Sequence, residues 1–497
     1  MSEISGKALS GIAGLDDVLE GGFSRGHLFL LEGEPGAGKT TVGLQFLSAG
    51  ALVGERCLYM TLSETETELR QGAASHHWVL DEHIKICELL PPESLLTGEQ
   101  HQSLLYASDL ELGETTKQIF DAVSRENPSR MVIDSLSEIR LLAQSSLRYR
   151  RQILVIKHYF ARLGVTVLML DDLTSDATDK TVHSIAHGVI RLEQNAPAYG
   201  AERRRMRVVK YRGQKYRGGY HDFIISTGGI NVFPRLVAAE HRQRTPRTRY
   251  STGITAFDAL LGGGIDSGSS TLILGPAGTG KSLIAVTFAM AAVARGERAA
   301  LFVFDEELGL LFDRMKTMNI DLESAREAGR LVIEQIDAAE LTPGEFAHRV
   351  RCIVEGDDLK TVVIDSLNGY QAAMPEERSL ILHIHELLQY LNRHGVATFM
   401  TVAQHGLVGG DLPAPIDITY LADTVVLLRY FEARGRVRRA ISVIKKRTGR
   451  HESTIREYRV ENGGVTLGEP LDAFQGVLRG VPQYAGDQFP LFEDPDH

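Results

Sequence analysis

The sequence TLILGPAGTGKSLIAVTF, residues 271–288, determines the fold that we predict for this chain. A β-branched apolar run leads into the glycine-rich segment GPAGTGKS at 275–282, and a helix-forming apolar run follows it. A strand, a glycine-rich turn and a helix N-terminus, in that order, are the context of a phosphate-binding loop. The glycines let backbone N–H groups close around phosphates, and the start of the helix adds partial positive charge. The segment therefore predicts a nucleotide site.

Side chains at the end of this loop supply the remaining chemistry of such a site. We expect Lys281 to reach the β- and γ-phosphates of ATP, and the Ser282 hydroxyl to bind Mg²⁺. The predicted nucleotide-binding residues of this loop are Gly275, Gly278, Thr279, Gly280, Lys281 and Ser282.

A second loop of the same pattern, GEPGAGKT at 33–40, lies earlier in the chain between HLFLLE and TVGLQFL. Lys39 and Lys281 are 242 positions apart, and the glycine pairs at 21–22 and 263–264 share that spacing. A repeat of this length indicates a duplicated domain, because the units of solenoid proteins are only about 20–50 residues long. The predicted nucleotide-binding residues of this loop are Gly33, Gly36, Ala37, Gly38, Lys39 and Thr40.

Each half also contains an apolar strand that ends in an acid, in the segments MVIDS at 131–135 and VVIDS at 362–366. An acid at the carboxyl end of such a strand is where a Walker B residue holds the Mg²⁺ shell. The predicted metal-binding residues are therefore Thr40 with Asp134 in the first half, and Ser282 with Asp365 in the second.

The alternation of buried strands and helices predicts an α/β fold. Further apolar strands at 165–170 and 396–402 each follow a helical stretch, which favours mostly parallel central sheets flanked by helices. We predict a first ATPase domain at 1–240, a second at 241–468 and a flexible acidic C-terminal tail at 469–497. The polar, proline-containing segment 241–249 is the expected linker.

Composition limits the class of protein. The chain has 497 residues, a net charge of −10 and only three scattered cysteines without a C-x-x-C pair. Overall acidity disfavours a dedicated nucleic-acid binder, and the cysteines fit a reducing compartment. There is no signal-peptide pattern and no apolar run near the roughly 18 residues that span a membrane. We expect a cytoplasmic protein without membrane contacts.

Acids between each loop and its Walker B strand are candidates for activating a nucleophile. The second half reads FDEE at 304–307, and at the spacing of 242 positions Asp305 matches Ser63 while Glu306 matches Glu64. A carboxylate near the γ-phosphate can orient and deprotonate an attacking water, although a solvated acidic turn is the alternative. Because the first half keeps only one acid, we hypothesise that it hydrolyses ATP more weakly than the second, or differently.

Both halves end in a basic stretch that contains a Lys-x-Arg pair: Lys210 with Arg212, and Lys445 with Arg447. Alternate residues of a strand point to one face, so each pair could aim two cations at one target. That target could be the γ-phosphate held by a neighbouring subunit, or a nucleic-acid backbone in a ring. A solvated edge strand protected by charge is the third interpretation.

Taken together, the chain from about residue 10 to 465 resembles the KaiC family of tandem RecA-like ATPases. The resemblance rests on SGIAGLDDVLEGG and STGITAFDALLGGG, both phosphate loops, FDEE, both IDSL segments, ERRR…KYRG, NVFP and DTVVLLRYFEARG…RRAISVIKKRTGRHESTIREY. The resemblance implies a hexameric double ring with ATP bound between subunits, slow ATP hydrolysis, and serine/threonine autophosphorylation in the second ring.

The family's functional positions carry over with substitutions. The leading Glu of its acid pair is Ser63 in the first half and Asp305 in the second. The family's adjacent Ser and Thr phosphoacceptors, which lie shortly before DTVVLLRY, fall on Thr419 and Tyr420. The C-terminal segment QYAGDQFPLFEDPDH is unlike the family's clock-partner tail, so that partner is not predicted.

Gln404, just past the strand at 396–402, is a candidate sensor of the γ-phosphate, as is His405 beside it. From the sequence, we expect Asp171 and Asp172 to occupy the corresponding position in the first half. A surface-loop role is the alternative for each.

These observations predict an Mg²⁺-dependent ATPase with possible autokinase activity on Thr419, which acts as a slow switch or timer for unidentified signalling partners. One alternative is a DNA-stimulated motor of the RecA, RadA or DnaB type. Another is a scaffold in which bound nucleotide only holds rings together.

Overall fold

The computed structural model describes residues 6–89, 104–173, 181–197, 200–241, 246–373, 377–404, 419–479 and 482–484. The chain divides into two compact units, Met1–Arg235 and Leu236–His497. Leu236 and Ala238 pack in a buried core of the second unit.

The first unit is built on one large nine-stranded sheet and a separate two-stranded sheet. Its strands are β1 (Lys7–Ala8), β2 (Phe23–Ser24), β3 (Leu28–Gly33), β4 (Cys57–Thr61), β5 (Ile84–Glu88), β6 (Arg130–Asp134), β7 (Thr166–Asp172), β8 (Gly188–Asn195), β9 (Arg203–Tyr211), β10 (His221–Ser226) and β11 (Gly229–Phe233). Its helices are α1 (Ala13–Val18), α2 (Lys39–Ala51), α3 (Glu66–Ser75), α4 (Leu104–Glu126), α5 (Leu136–Ala143), α6 (Ser146–Leu163) and α7 (Thr181–Ile185).

The second unit repeats this plan and adds a second two-stranded sheet. Its strands are β12 (Arg249–Tyr250), β13 (Ile265–Asp266), β14 (Ser270–Gly275), β15 (Arg298–Val303), β16 (Leu331–Gln335), β17 (Leu359–Asp365), β18 (Ala397–Ala403), β19 (Thr424–Ala433), β20 (Arg436–Lys446), β21 (Arg456–Glu461), β22 (Gly464–Pro470), β23 (Phe474–Gln475) and β24 (Gln483–Tyr484). Its helices are α8 (Thr255–Leu260), α9 (Lys281–Ala294), α10 (Leu308–Thr317), α11 (Leu322–Glu327), α12 (Pro343–Asp357), α13 (Leu367–Ala373) and α14 (Glu377–Arg393), with 3₁₀ turns at Ala238–Glu240 and Val477–Arg479.

The two large sheets share one topology. The order in the first is β11-β10-β9-β8-β3-β7-β6-β4-β5, and in the second it is β22-β21-β20-β19-β14-β18-β17-β15-β16. Six strands from β8 to β5, and six from β19 to β16, are parallel, whereas the remaining three strands of each sheet pair antiparallel. This confirms the predicted α/β class with two tandem RecA-like domains.

The parallel part of each large sheet is buried on both faces, and apolar strands such as β3 and β14 are fully buried. Two apolar cores, one on each face, flank the sheet of each unit. Burial on both faces is what makes such strands read as continuous apolar runs in a sequence. Among the described helices, none is long and apolar enough to cross a membrane.

The copies differ at the strand position just before the loop. In the first unit Glu32 lies between Asp171 and Arg191 on the neighbouring strands, and the Glu32 side chain is 2% exposed. Glu32 accepts hydrogen bonds from Arg191 and lies 2.6 Å from His183 Nε2, while Arg140 contacts Asp171 at 2.5 Å. The matching three residues of the second unit are all apolar: Leu274, Val402 and Leu427.

Candidate functional site

The first glycine-rich loop joins β3 to α2. Gly38 precedes the helix with a φ of 97°, a left-handed conformation in which L side chains are strained. A Cβ atom added at Gly38 would also lie 2.8 Å from Ile225 Cδ1. Glycine is therefore required here by backbone conformation, and a larger residue would also have to displace the Ile225 side chain.

Lys39, the first residue of α2, is buried and folds back over the loop. Its Nζ atom donates to the carbonyl oxygens of Gly33 and Glu34, both at 2.9 Å. The same atom lies 2.7 Å from Oδ1 of Asp172, at the end of β7. This ion pair places a carboxylate next to the lysine that was predicted to meet phosphate.

Thr40 and Asp134 lie side by side, as the Walker B assignment requires. The Thr40 hydroxyl donates to Asp134 Oδ2 at 3.3 Å, and Tyr59 donates to the same oxygen at 2.6 Å. Burial raises the pKa of Asp134, although the hydrogen bonds from Tyr59 and Thr40 and the charge of Lys39 oppose that rise. A hydroxyl and a carboxylate in contact are the hard oxygen donors that Mg²⁺ prefers.

Glu64 lies just past β4, immediately before the N-cap of α3. The N-cap is Thr65, which forms a capping box with Glu68 and fixes where the helix begins. The Glu64 backbone is fixed through Thr61, whose hydroxyl accepts from Glu64 N at 2.9 Å and donates to Glu64 O at 2.7 Å. Burial, followed by the charge of Asp134, raises the pKa of the Glu64 carboxyl.

The second loop repeats this geometry between β14 and α9. Gly280 has a φ of 94°, and Lys281 begins the helix. Lys281 Nζ donates to Pro276 O at 2.7 Å, and the buried Thr279 hydroxyl donates to the same oxygen at 2.8 Å. Burial lowers the pKa of Lys281 to about 8, against which the charge of Asp365 acts.

Asp365 ends β17 beneath this loop and is 9% exposed. Its carboxylate accepts hydrogen bonds from Thr401 and Ser282. Burial raises its pKa in spite of these hydrogen bonds. Ser282 and Asp365 thus form the same hydroxyl–carboxylate pair as Thr40 and Asp134.

Asp305 and Glu306 occupy the turn between β15 and α10, and their partners differ. Asp305 accepts a hydrogen bond from the Ser366 hydroxyl. Glu306 forms a bidentate ion pair with Arg314, in which Nε donates to Oε1 at 3.0 Å and Nη2 donates to Oε2 at 2.6 Å. Thr61 pairs with Asp134 in the first sheet, and Val303 pairs with Asp365 in the second, so Thr61 and Val303 occupy equivalent positions. Counting on from them, Ser63 is the counterpart of Asp305, and Glu64 is the counterpart of Glu306.

Arg314 and Arg439 line the cavity beside the second loop, together with Gly278, Gly280, Lys281 and Ser282. Neither arginine is among the residues predicted for this site from the sequence. Arg314 is on α10, eight residues after Glu306, and its position facing the loop depends on how that helix packs.

Both Lys-x-Arg pairs lie at the opposite edge of their sheets from the loops. Lys210 is opposite Val189, which pairs with Leu30, three residues before Gly33. In the second unit Lys445 is opposite Val425, which pairs with Leu272, three residues before Gly275. Each lysine is therefore two strands away and about 10 Å toward the amino-terminal edge.

The cations of these pairs bind backbone carbonyls of their own chain. Lys210 Nζ donates to the oxygens of His183 and Ala186, and Arg212 donates to Ser184 O at 2.5 Å. In the second unit the carbonyls belong to the candidate phosphoacceptor segment. Lys445 Nζ donates to Thr419 O at 2.9 Å and Ala422 O at 2.7 Å, while Arg447 donates to Tyr420 O at 2.6 Å.

Thr419 and Tyr420 thus lie in a turn at the amino-terminal edge of the second sheet. Asp423, three residues further on, exchanges hydrogen bonds with Ser270, the first residue of β14. Ser270 and Gly275 are the two ends of that strand, about 16 Å apart at 3.3 Å per residue. The structure brings each loop together with its acids, and the phosphoacceptors together with Lys445 and Arg447.

The expected match between Gln404 and the Asp171–Asp172 pair is wrong by one residue or more. Gly33 pairs with Asp172 and Gly275 pairs with Ala403, so Asp172 corresponds to Ala403. Gln404 N donates to Gly275 O at 3.1 Å, and its counterpart is Leu173, whose N donates to Gly33 O. Residue His405 lies outside the described residues.

Comparisons with known proteins agree with this architecture. The family model described as "ATPase: KaiC" matches residues 8–237 and again residues 250–472. The chain is 26% identical over 484 residues to the circadian clock protein KaiC3 of Synechocystis sp., covering 96% of this chain and 95% of that relative. It is 28% identical over 480 residues to the circadian clock oscillator protein KaiC of Thermosynechococcus vestitus, covering 95% and 90%. For KaiC of Prochlorococcus marinus the identity is 27% over 490 residues, covering 97% and 96%.

Proposed function

Because the chain belongs to the KaiC family of ATPases, we propose that it is an Mg²⁺-dependent ATPase whose nucleotide sites are completed by neighbouring subunits. The proposed assembly is a hexameric double ring, with the first units in one ring and the second units in the other. The relatives named above are circadian clock proteins, and for this chain we propose a slow nucleotide-driven switch in signalling.

In each site the loop's backbone N–H groups and its lysine bind the triphosphate. Thr40 with Asp134, and Ser282 with Asp365, would hold Mg²⁺, which neutralises charge on the β- and γ-phosphates. Glu64 in the first site, and Asp305 with Glu306 in the second, orient the attacking water and accept its proton. A raised pKa suits Glu64 to this role, because a general base works best when its pKa approaches the working pH.

The observation that carries the proposal is the position of the Lys-x-Arg pairs. Lys210 lies at the edge of its sheet opposite its own loop, and Lys445 does the same in the second unit. These cations cannot reach a triphosphate bound by their own unit. In a ring, the amino-terminal edge of one subunit can face the loop of the next, and the cations then act as trans fingers.

The same placement supports phosphorylation of Thr419 in trans. The Thr419 hydroxyl oxygen would attack the γ-phosphorus of a neighbour's ATP, the bond to the β–γ bridging oxygen would break, and ADP would leave. The hydroxyl proton would pass to the neighbour's carboxylate pair, the residues matching Asp305 and Glu306. Tyr420, which is 51% exposed, is the adjacent alternative acceptor.

A complementation experiment tests whether the second-unit sites are shared. One variant carries Lys281→Ala, and the other carries Lys445→Ala with Arg447→Ala. Mixed in equal amounts and reassembled, about one quarter of the interfaces pair an intact loop with intact cations. We expect ATP turnover above the mean of the two separate variants. Turnover equal to that mean would show that the sites are not shared.

Intact-mass analysis after incubation with Mg·ATP tests the kinase proposal separately. We expect one added phosphate that disappears in Thr419→Val and persists in Tyr420→Phe. A phosphate that persists in Thr419→Val would assign another acceptor. No added phosphate would remove the kinase activity and leave the ATPase proposal intact.

The DNA-motor alternative is less well supported, because much of the basic strand is already paired. Arg205 contacts Glu193 at 2.9 Å and lies over the Tyr220 ring at 4.2 Å, and Arg438 contacts Glu457 at 2.9 Å. A motor of that type predicts strong stimulation of ATP turnover by single-stranded DNA, whereas we expect none.

A further inference from the structure

Three metal-binding residue types meet on the second unit, apart from the nucleotide site. They are His241, directly after the 3₁₀ turn Ala238–Glu240, Glu355 on α12, and His394, directly after α14. One ligand atom from each residue lies within 4.8 Å of the other two. His241 and Glu355 are more than a hundred positions apart in the sequence, so no local motif predicts this cluster.

The separations are close to those of a bound ion. His241 Nδ1 lies 3.9 Å from Glu355 Oε1. Ligand atoms around a tetrahedral zinc ion lie about 3.4 Å apart, given zinc–ligand bonds of roughly 2.0–2.1 Å. The ligand atoms therefore need to approach one another by about 0.5 Å for His241 and Glu355, and by no more than about 1.4 Å for any pair. His241 and Glu355 are 25% and 47% exposed, so both side chains have room to make that movement.

Two hydrogen bonds that involve Tyr390 orient the cluster. His394 Nδ1 lies 3.0 Å from the backbone oxygen of Tyr390, and as the donor it leaves Nε2 with the lone pair. The Tyr390 hydroxyl, on a buried side chain, donates to Glu355 Oε1 at 3.1 Å. Metal-binding histidines and carboxylates are usually held in this way by a second layer of hydrogen bonds.

The segment that carries His241 is also fixed against α14. Ala238 N donates to Glu386 Oε2 at 2.8 Å, and Arg393 donates to Ala238 O. These contacts bring His241 beside His394 without any ion.

The main opposing charge is Arg351, whose Nε lies 3.9 Å from Glu355 Oε2. It approaches the other oxygen of the carboxylate, so Oε1 remains directed toward His241. A solvent-accessible ion pair at that distance contributes little to stability, so it does not prevent a metal ion from binding Oε1.

We propose that His241, Glu355 and His394 form a binding site for a divalent transition-metal ion, with Zn²⁺ as the best-fitting ion. Two imidazoles and one carboxylate suit zinc, and the remaining coordination position is left for water. Binding would fasten the first residues of the second unit to α12 and α14. The site is independent of the nucleotide chemistry proposed above.

Zinc titration of the full-length chain, free of nucleotide and Mg²⁺, tests the site. Competition with a chromogenic chelator reports the affinity and the number of ions bound. We expect His394→Ala and Glu355→Gln each to weaken one binding event by at least about tenfold. The matched control is His385→Ala, which removes an exposed histidine of α14 that is outside the cluster.

Two further variants separate the site from general effects. Tyr390→Phe keeps the buried ring and removes the hydroxyl that orients Glu355, so we expect roughly tenfold weaker binding. Cys352→Ala removes an exposed thiol on α12 and should leave the affinity unchanged. The proposal is overturned if His394→Ala binds zinc as the parent chain does, or if His385→Ala loses as much affinity as His394→Ala.

Discussion

Lys39 Nζ lies 2.7 Å from Oδ1 of Asp172, so the lysine of the first loop forms an ion pair with a carboxylate at the end of β7. The matching strand position of the second unit is Ala403, which offers Lys281 no such partner. ATP must displace Asp172 from Lys39, or accept a carboxylate near its phosphates. The two copies of the loop therefore differ in a contact that their glycine patterns do not reveal.

We expect Asp172→Asn to strengthen ATP binding by the first unit. In a Lys281→Ala background, which leaves the first site as the main reporter, the Kd for ATP should fall about fivefold. That factor corresponds to roughly 1 kcal/mol for a partly exposed ion pair. A Kd that is unchanged or raised would show that the pair does not oppose the nucleotide.

The reverse change should act in the opposite direction. Ala403→Asp, in a Lys39→Ala background, places a carboxylate beside Lys281, and we expect ATP to bind the second unit several-fold more weakly. Ala403→Asn is the matched control for side-chain size. Equal weakening by both substitutions would assign the effect to bulk rather than charge.

Glu306→Gln should reduce ATP hydrolysis by the second unit about 100-fold, because it removes the proposed base but keeps the side chain's shape. The adjacent Glu307→Gln is the control. Glu307 caps α10 by accepting a hydrogen bond from Leu310 N at 3.0 Å, which an amide oxygen can also accept. Single-turnover hydrolysis in the Lys39→Ala background measures both variants. Similar losses in both would contradict the assignment of Glu306.

ATP binding by the second unit should weaken as the pH rises above about 8, since burial lowers the pKa of Lys281 to that value. Bound phosphates stabilise the charged lysine. At pH values where Lys281 is deprotonated without ATP, ATP binding therefore takes up a proton. In the Lys39→Ala variant we expect the Kd to rise by up to about tenfold per pH unit between pH 8 and 10. Lys281→Arg, which stays protonated, should show a flat profile. A flat profile for lysine would refute the lowered pKa.

His221 should make the first unit less stable in mild acid. Arg235 N donates to its Nδ1 and its Nε2–H donates to Arg217 O, both at 2.9 Å, so the buried ring is held neutral. Burial lowers the His221 pKa to about 4, whereas an unfolded histidine titrates near 6.5. Between these values the unfolded chain binds more protons, so stability rises with pH. We expect a loss of about 2 kcal/mol between pH 7 and 4.5 from this residue.

Fluorescence of Trp78 is a suitable measurement, because it is the single tryptophan and packs against a core of the first unit. His221→Gln should unfold at a midpoint that depends less on pH over this range than that of the parent chain. Parallel curves for the two proteins would mean that His221 does not titrate in this window.

Much of the fold could be predicted from local sequence. Glycine-rich turns and continuous apolar strands depend on neighbouring residues, so both loops and the parallel sheets could be located in advance. The spacing of 242 positions between Lys39 and Lys281 also matches the cross-strand register, in which Glu64 corresponds to Glu306.

Contacts between distant elements could not be predicted in this way. The pairing of Lys39 with Asp172 depends on the exact ends of β3 and β7, and a shift of one residue produced the wrong match for Gln404. The contact of Arg314 with Glu306 depends on the rotation of α10. Alternation along a strand indicated that Lys445 and Arg447 share a face, but not which edge of the sheet they occupy.

Glu32 has polar neighbours in the first sheet, whereas its counterpart Leu274 has apolar neighbours in the second. This difference limits the substitutions that each half can accept. A lone Leu274→Glu substitution would bury a carboxylate without Arg191 or His183 to compensate it, at a cost of several kcal/mol. The second half therefore cannot acquire the first half's buried glutamate by that single change without a large loss of stability. The interiors of the two halves are therefore not interchangeable residue by residue, although their phosphate-binding loops share one pattern.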